Sequence, residues 1–353
     1  MPAARAALQF QEPHVVRLSD KERTSGIITE EHIAEAISAL HRDGLVVLEN
    51  AVDVEHCDKL NEILSSEAEA MAELPTTHFN DNSPDGAPTG NMSQGPPLTP
   101  DLMYTDIWAN QPAATVLSFM LGPKPRVNYV NGNTALGGFN GARQRVHADL
   151  TFNHAQFPFA IVTNYYLIDV SPANGSTELW LGSHRDTSFH DHRNGHPVDP
   201  DADNGDGRHG IYDNTLESEF GIRDELLEQR RAYAPPVQPT VKKGSVVLRD
   251  LRLWHAGLAN PTPDPRIMLA FVHTPSWYQC PAKVVLPEAT SSLVDSWANR
   301  EVSPVQYWAH FVPADVDHKT IKFNPNFSSD NKGYLAMLPK DVSMGFVFKA
   351  DDE

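Results

Sequence analysis

Hydrophobic and polar positions in the first quarter of the chain predict two helices separated by a short strand. Thr29 leads into apolar residues that recur at helical spacing as far as Leu40, so a helix is predicted to begin at Thr29. The apolar run 44–48 predicts a strand. Asp53 is predicted to cap a second helix.

Three later segments are polar or follow helical spacing. Residues 75–100 are rich in Asn, Pro, Gly and Ser and follow no period, which predicts a long loop that we interpret as a lid. Residues 101–121 return to helical spacing. Residues 186–215 are dominated by Asp, Asn, Gly and His and are interpreted as a solvated insertion, followed by a polar helix over 217–232.

Strand-like runs separated by turn residues fill most of the remaining chain. Helices early in the chain and short strands later favour an α+β class. The architecture that accommodates this order is a double-stranded β-helix, or jelly roll, flanked by N-terminal helices, and we expect one domain over residues 1–353. The predicted strands are 126–130, 143–150, 160–170, 244–249 and 267–273.

Composition narrows the classes of partner and the compartment. A net charge of −18 argues against binding to nucleic acid or an anionic membrane. Two cysteines, Cys57 and Cys280, are too few for a disulfide framework. We see no apolar run of membrane-spanning length and no signal-like stretch in residues 1–20. We therefore expect a cytoplasmic protein that acts on a small molecule; a homodimer is one assembly left open.

Three H-x-D triplets begin at His56, His147 and His184. In a strand, residues i and i+2 project from the same face, whereas in a helix they point apart. The first triplet falls in the helical pattern, and the third opens the polar insertion, where a surface or capping role is the ordinary explanation. The triplet of His147 and Asp149 lies in a predicted strand and can offer both ligands to one metal ion.

His255 and Arg266 strengthen this interpretation. His255 ends the run that starts at Gly244, and Arg266 begins the next strand after a Pro-rich turn, so a hairpin would place them side by side. Singly, each has a structural explanation, a buried histidine and a surface ion pair to Asp264. Together with His147 and Asp149 they favour the 2-His-1-carboxylate set of Fe(II) oxygenases, with a guanidinium for a co-substrate carboxylate.

The sequence also resembles the phytanoyl-CoA dioxygenase family, in particular its fungal secondary-metabolite branch. The resemblance covers residues 28–275 and depends on the His147 triplet, on residues 254–257 and on the arginine eleven residues after His255. It implies iron on His147, Asp149 and His255, and 2-oxoglutarate with its distal carboxylate on Arg266. It further implies that Gln144 and Thr177 steady this co-substrate. Gly257 departs from the pattern, because the family usually has a small polar residue there.

The expected reaction is the oxidation of a C–H bond of a small organic molecule by Fe(II), 2-oxoglutarate and O2, by hydroxylation, desaturation or oxidative cyclisation, in secondary metabolism. Asp149 disfavours halogenation, which needs that ligand position vacant. Three alternatives stay open: an iron oxygenase that does not use 2-oxoglutarate, a metal-dependent cupin-like hydrolase or isomerase, and a non-catalytic binder. Proximity in sequence to the ligands suggests five pocket candidates, namely Asn131, Asn133, Phe152, His154 and Tyr165.

Overall fold

The computed structural model describes residues 12–80, 83–150, 152, 154–193, 220–280 and 282–320. Its α-helices are α1 (Asp20–Ser25), α2 (Glu30–Asp43), α3 (Val54–Ala72), α4 (Thr105–Trp108), α5 (Gln111–Leu121), α6 (Asp224–Arg231) and α7 (Ser291–Ala298). Its strands are β1 (Val15–Arg17), β2 (Leu45–Glu49), β3 (Asn91–Ser93), β4 (Arg126–Ala135), β5 (Ile161–Tyr166), β6 (Glu178–Leu179), β7 (Val246–Asp250), β8 (His255–Ala256), β9 (Arg266–Thr274), β10 (Val284–Pro287), β11 (Gln306–Tyr307) and β12 (Ala309–Val312).

Eight of the described strands form one large mixed sheet in the order β1-β2-β7-β5-β9-β4-β11, with β3 paired to β4. The pairs between β2 and β4 in this order are antiparallel, whereas β1 and β11 join parallel at the two ends. Helices α2, α3 and α5 pack on one face of the sheet, where they share an apolar core with β2, β7 and β9. The opposite face is left for the functional site.

A second, smaller layer covers that opposite face. Its centre is the antiparallel pair of β6 and β8. Single bridges extend it: His147 pairs with His255, and His192 pairs with Ile222. The amide of Ile222 donates to the carbonyl of Val146 at 2.7 Å, which joins these bridges into one layer. Two β layers with helices outside confirm the predicted α+β jelly roll.

Local capping signals place the N-terminal helices as predicted. The Thr29 hydroxyl accepts a hydrogen bond from the amide of His32 at the start of α2. The Asp53 carboxylate accepts one from the amide of Glu55 at the start of α3. The predicted helix over 101–121 is instead divided into a 3-10 turn, α4 and α5. The side chain of Asn110 caps α5, and Pro112 lies in its first turn. Because a proline ring fits only the first turn of a helix, α5 has to begin here and cannot continue from α4.

Two predictions about the strands are wrong. β7 and β9 do not form a hairpin, because β5 lies between them in the sheet. After β7 the chain crosses to the smaller layer, forms β8 there, and only then returns as β9. Residues 143–150 are not a regular strand either. They make isolated bridges, and the register changes between Gln144 and His147, so the pairing with residues 251–257 is bulged.

The two long polar segments are partly described. Residues 194–215 of the predicted insertion lie outside the described residues, whereas Thr187 and His192 at its beginning are buried rather than solvated. Within the predicted lid, residues 91–93 form β3, and Asp81 and Asn82 lie outside the described residues; the lid role stays a prediction. None of the described helices combines the length and the apolar character that crossing a membrane requires.

Candidate metal centre

His147 and His255 face each other across the smaller layer. Each backbone amide donates to the other's carbonyl at 2.9 Å, and the ring centroids are 4.4 Å apart. The Asp149 Oδ1 atom lies 3.6 Å from His147 Nε2 and 3.4 Å from His255 Nε2. Two ligands about 2.1 Å from one ion and roughly 90° apart are separated by about 3 Å. The three side chains therefore converge closely enough to share one ion.

Hydrogen bonds fix which imidazole nitrogen faces the ion. His147 Nδ1 lies 2.8 Å from the carbonyl of Arg145, and His255 Nδ1 lies 3.0 Å from the carbonyl of Leu253. A carbonyl can only accept, so Nδ1 of His147 carries the proton and its Nε2 offers a lone pair to the metal. His255 Nδ1 also lies 3.2 Å from the donor Arg249 Nη1, but the contact with the Leu253 carbonyl is shorter and places the proton on Nδ1, while Nε2 is the atom that faces Asp149. Burial, followed by the proximity of His255, lowers the pKa of His147 to about 3, so its ring is neutral.

Arg249 at the end of β7 holds the metal carboxylate. Its Nη2 donates to Asp149 Oδ2 at 2.7 Å, and its Nη1 lies 3.2 Å from His255 Nδ1. Burial by itself would raise the pKa of Asp149, but Arg249 and the two histidines keep that pKa well below its usual value. Asp149 is thus a carboxylate with one oxygen on Arg249 and the other free for a metal. Arg249 was not among the site residues predicted from the sequence, although an arginine directly after the apolar residues 246–248 is a visible signal.

The other two H-x-D triplets do not form such a set. His56 lies on α3 and its Nδ1 contacts Asp106, not Asp58. His184 is 3 % exposed, which corrects the prediction of a surface role. Among the described residues, one group of at least three His, Cys, Asp or Glu side chains has all its ligand atoms within 4.8 Å of one another. This group consists of His147, Asp149 and His255.

Arg266 is completely buried at the start of β9 and is mostly unpaired. Its Nε donates to the carbonyl of Asn174 at 3.1 Å, while Nη1 and Nη2 have no hydrogen-bond partner among the described residues. Burial lowers the pKa of Arg266, and nearby Tyr166 acts in the opposite direction. Leaving a buried guanidinium half-satisfied is unfavourable unless an anion completes it. The two terminal nitrogens of Arg266 can therefore bind a carboxylate.

Gln144 ties the ligand segment to its neighbours. Its Oε1 accepts from the amide of Gly257 at 2.8 Å, and its Nε2 donates to the carbonyl of Asn80 at 3.1 Å. A Cβ atom added at Gly257 would lie 2.7 Å from Gln144 Oε1, so the glutamine fills the space that a side chain at 257 would need. These two contacts use the amide oxygen and one of the two amide hydrogens of Gln144.

Thr177 lies beside Arg266's neighbour Tyr166. The Thr177 Oγ1 and Tyr166 hydroxyl oxygens are 3.4 Å apart. Tyr166 also acts electrostatically on Arg266 and raises its pKa. No local sequence pattern indicates Tyr166, since its position depends on the register of β5 against β9.

The five pocket candidates lie in three different places. Tyr165 packs edge-on against Phe271 in the core shared with the helices, so it faces away from the ligands. Asn131 and Asn133 lie on β4, each two residues from the next along the strand, and therefore share one face. Phe152 and His154 follow Asp149 and contact each other, with ring centroids 6.3 Å apart.

The family model of phytanoyl-CoA dioxygenase (PhyH) matches residues 40–268, which include all three candidate ligands and Arg266. The chain belongs to the PhyH family. This confirms the family inferred from the motifs. The protein is an iron- and 2-oxoglutarate-dependent dioxygenase.

Several solved structures are also similar. EctD from S. alaskensis with 2-oxoglutarate and 5-hydroxyectoine is 19% identical over 75% of this chain and 81% of that chain, with a TM-score of 0.47. SnoN, a non-heme alpha ketoglutarate dependent epimerase from nogalamycin biosynthesis, is 16% identical over 70% of this chain and 85% of that chain, with a TM-score of 0.45. We base no conclusion about this PhyH protein on likenesses of that size.

The residues present fit both groups that the family uses. Two imidazoles and one carboxylate are the donor set of non-heme iron, a set that leaves coordination positions open when iron is bound. The buried guanidinium of Arg266 with two free terminal nitrogens fits the distal carboxylate of 2-oxoglutarate. His147, Asp149 and His255 would hold the iron, and Arg266 the co-substrate.

Proposed function

We propose that this PhyH protein oxidises a C–H bond of a small organic molecule, by hydroxylation, desaturation or oxidative cyclisation, in secondary-metabolite biosynthesis. The observation that carries the proposal is the pairing of a three-ligand centre with a buried arginine that lacks an anion. The metabolic assignment depends on the resemblance of the ligand motifs to the fungal branch of the family. Gln144 and Thr177 are proposed to contact the co-substrate.

The chain's own residues supply binding and orientation. Iron and 2-oxoglutarate, when bound, supply the activation of dioxygen. Arg266 would hold the distal carboxylate of the co-substrate through its two terminal nitrogens. Arg249 holds Asp149 in one rotamer through Oδ2 and leaves Oδ1 for the metal. The carbonyls of Arg145 and Leu253 hold the two imidazoles in the tautomer that binds a metal.

The proposed dioxygenase and the alternative enzymes differ in whether they consume 2-oxoglutarate and oxygen. Purified protein with Fe(II), 2-oxoglutarate and oxygen should release one succinate per oxidised substrate, and Asp149→Ala should release none. Oxidised product without consumption of 2-oxoglutarate would instead support the iron oxygenase that needs no oxo acid. Turnover without oxygen would support a hydrolase or isomerase. Undiminished turnover by Asp149→Ala would refute the assignment of this centre.

A further inference from the structure

A histidine outside the ligand set lies one aromatic ring away from the metal centre. The Phe220 ring packs against His147 with centroids 4.9 Å apart, and against His192 with centroids 6.2 Å apart. His192 is 1 % exposed, and its Nδ1 has no hydrogen-bond partner among the described residues. A buried ring nitrogen without a hydrogen-bond partner is unfavourable, and a polar group of a bound ligand would supply that partner.

The backbone of His192 is fixed to the ligand-bearing layer. His192 bridges Ile222, and the Ile222 amide donates to Val146, the residue before the first ligand. The amide of Arg193 also donates to the carbonyl of Gly221 at 2.8 Å. His192 is therefore held by the same elements that hold the metal ligands, which is what a recognition group requires.

His154 is a second polar group in the same place. It is 8 % exposed, and its Nδ1 donates to the carbonyl of Ala155 at 3.0 Å, so its Nε2 keeps a lone pair. The Phe159 ring stacks on it with centroids 6.2 Å apart. His154 and Asp149 both lie near enough to His192 to act on it electrostatically, so the two histidines and the metal carboxylate belong to one region of the protein.

Under the proposed function, the unpaired terminal nitrogens of Arg266 bind 2-oxoglutarate, and two further buried arginines of this region already have carboxylate partners. Arg249 is paired with Asp149, and Arg252 with Asp250. Burial, followed by the proximity of His154, lowers the pKa of His192 to about 4, so its ring is uncharged at neutral pH. A substrate carboxylate or phosphate would lose its hydration here without gaining a counter-charge. Uncharged molecules are favoured.

A series of aromatic contacts runs from Phe159, beside His154, to the protein surface. Phe159 contacts Tyr278 with centroids 5.0 Å apart, and Tyr278 contacts Trp277 at 6.1 Å. Trp277 in turn contacts Phe157 at 6.1 Å, and these two rings are 57 % and 53 % exposed. Aromatic side chains left in water beside a buried aromatic wall suit an approaching apolar molecule.

We propose that His192 and His154 are the polar recognition groups of the substrate pocket, and that the substrate is a neutral, mostly apolar ring compound that carries a hydroxyl or carbonyl group. The lone pair or N–H of the buried imidazoles binds that group, while the aromatic wall of Phe159 and Phe220 covers the rings. This substrate class rests on the proposed function, since it assumes that the metal centre is the reaction site.

Three matched tricyclic probes test the proposal: fluorene, 9-fluorenol and fluorene-9-carboxylate. They are titrated by calorimetry, without oxygen, into protein loaded with Fe(II) and 2-oxoglutarate. We expect 9-fluorenol to bind about five- to tenfold more tightly than fluorene, as one hydrogen bond predicts. The carboxylate should bind at least about tenfold more weakly than 9-fluorenol, because its charge is not compensated.

Variants at His192 decide whether this residue is responsible. His192→Phe should keep the affinity for fluorene and lose the preference for 9-fluorenol, whereas His192→Gln should retain part of that preference. His190→Phe, two residues earlier and exposed, is the matched control and should behave as wild type. The visible absorbance band of the complex with Fe(II) and 2-oxoglutarate should be unchanged in all three variants.

Three results would overturn the proposal while the visible band is present. These are tighter binding of the carboxylate than of 9-fluorenol, an unchanged preference in His192→Phe, and no saturable binding of either neutral probe. Absence of the band in wild-type protein is a different failure. It would overturn the proposed function itself, and the substrate class with it.

Discussion

Arg249 is a side chain outside the ligand set that contacts two of the three candidate metal ligands. It is buried, donates to the metal carboxylate Asp149, and contacts the far side of the His255 ring. Outer partners of this kind orient ligands and commonly change metal affinity by about 10- to 100-fold. Arg266 differs from Arg249, because its two terminal nitrogens have no hydrogen-bond partner among the described residues.

Arg249→Leu should weaken Fe(II) binding by about 10- to 100-fold, because Asp149 loses the donor that fixes its rotamer. Competition with a metallochromic chelator measures this affinity. Arg17→Leu, at an arginine exposed on β1, is the matched control and should bind iron as wild type does. An unchanged iron affinity in Arg249→Leu would contradict the role given to this residue.

Arg266→Met should have two opposite effects. It should stabilise the protein without co-substrate by about 1–3 kcal/mol, because a buried, half-satisfied charge is removed. It should also abolish the increase in melting temperature that 2-oxoglutarate gives in the presence of metal. Thermal unfolding with and without 2-oxoglutarate measures both. Retained stabilisation by 2-oxoglutarate would show that its carboxylate binds elsewhere.

At the scale of elements, the pairing of residue 144 with residue 257 shapes the wall of the site. Gln144 bonds the amide of Gly257, and its side chain occupies the space beside that glycine. This arrangement gives a physical reason for the departure from the family pattern at Gly257. A hydroxyl-bearing residue there would collide with Gln144, so the two positions must be considered together.

Gly257→Ala should destabilise the protein by about 1–3 kcal/mol, because the new methyl group collides with Gln144. Gln144→Ala should also destabilise, since the Gly257 amide loses its acceptor. The double variant should be less destabilised than the sum of the single variants, as the collision is then relieved. Urea unfolding measures the three free energies, and strict additivity would contradict the coupling.

The elements that the sequence predicted well are those with local signals. Thr29 and Asp53 cap α2 and α3 through hydrogen bonds to residues two or three positions away, so the chain itself contains the information. The ligand segment was predicted as a regular strand, but its bulged pairing with residues 251–257 is set by a remote partner. The contacts of Arg249 and Tyr166 likewise depend on strand register, which no local pattern reveals.

At the scale of the whole molecule, the buried histidines make the fold sensitive to acid. Burial lowers the pKa of His184, His192 and His273 to about 4. The unfolded chain therefore binds more protons than the native one once the pH falls below about 6.5. Stability should thus be complete near pH 7 and decrease progressively toward pH 4, since protonation favours the unfolded state.

His273→Leu should reduce this pH dependence. Between pH 7 and 5 one histidine with these two pKa values contributes a loss of about 2 kcal/mol, which the variant should remove. His41→Leu, at an exposed position on α2, is the matched control and should keep the wild-type dependence. Urea unfolding at both pH values measures the difference, and equal pH slopes for wild type and His273→Leu would contradict this account.

The most direct measurement is an anaerobic titration of the whole protein with Fe(II) and 2-oxoglutarate, followed by visible absorbance. We expect a weak charge-transfer band that saturates at one iron per chain, is absent in His255→Ala, and needs far more 2-oxoglutarate in Arg266→Met. A wild-type protein without this band, or a band unchanged in His255→Ala, would contradict the metal centre formed by His147, Asp149 and His255.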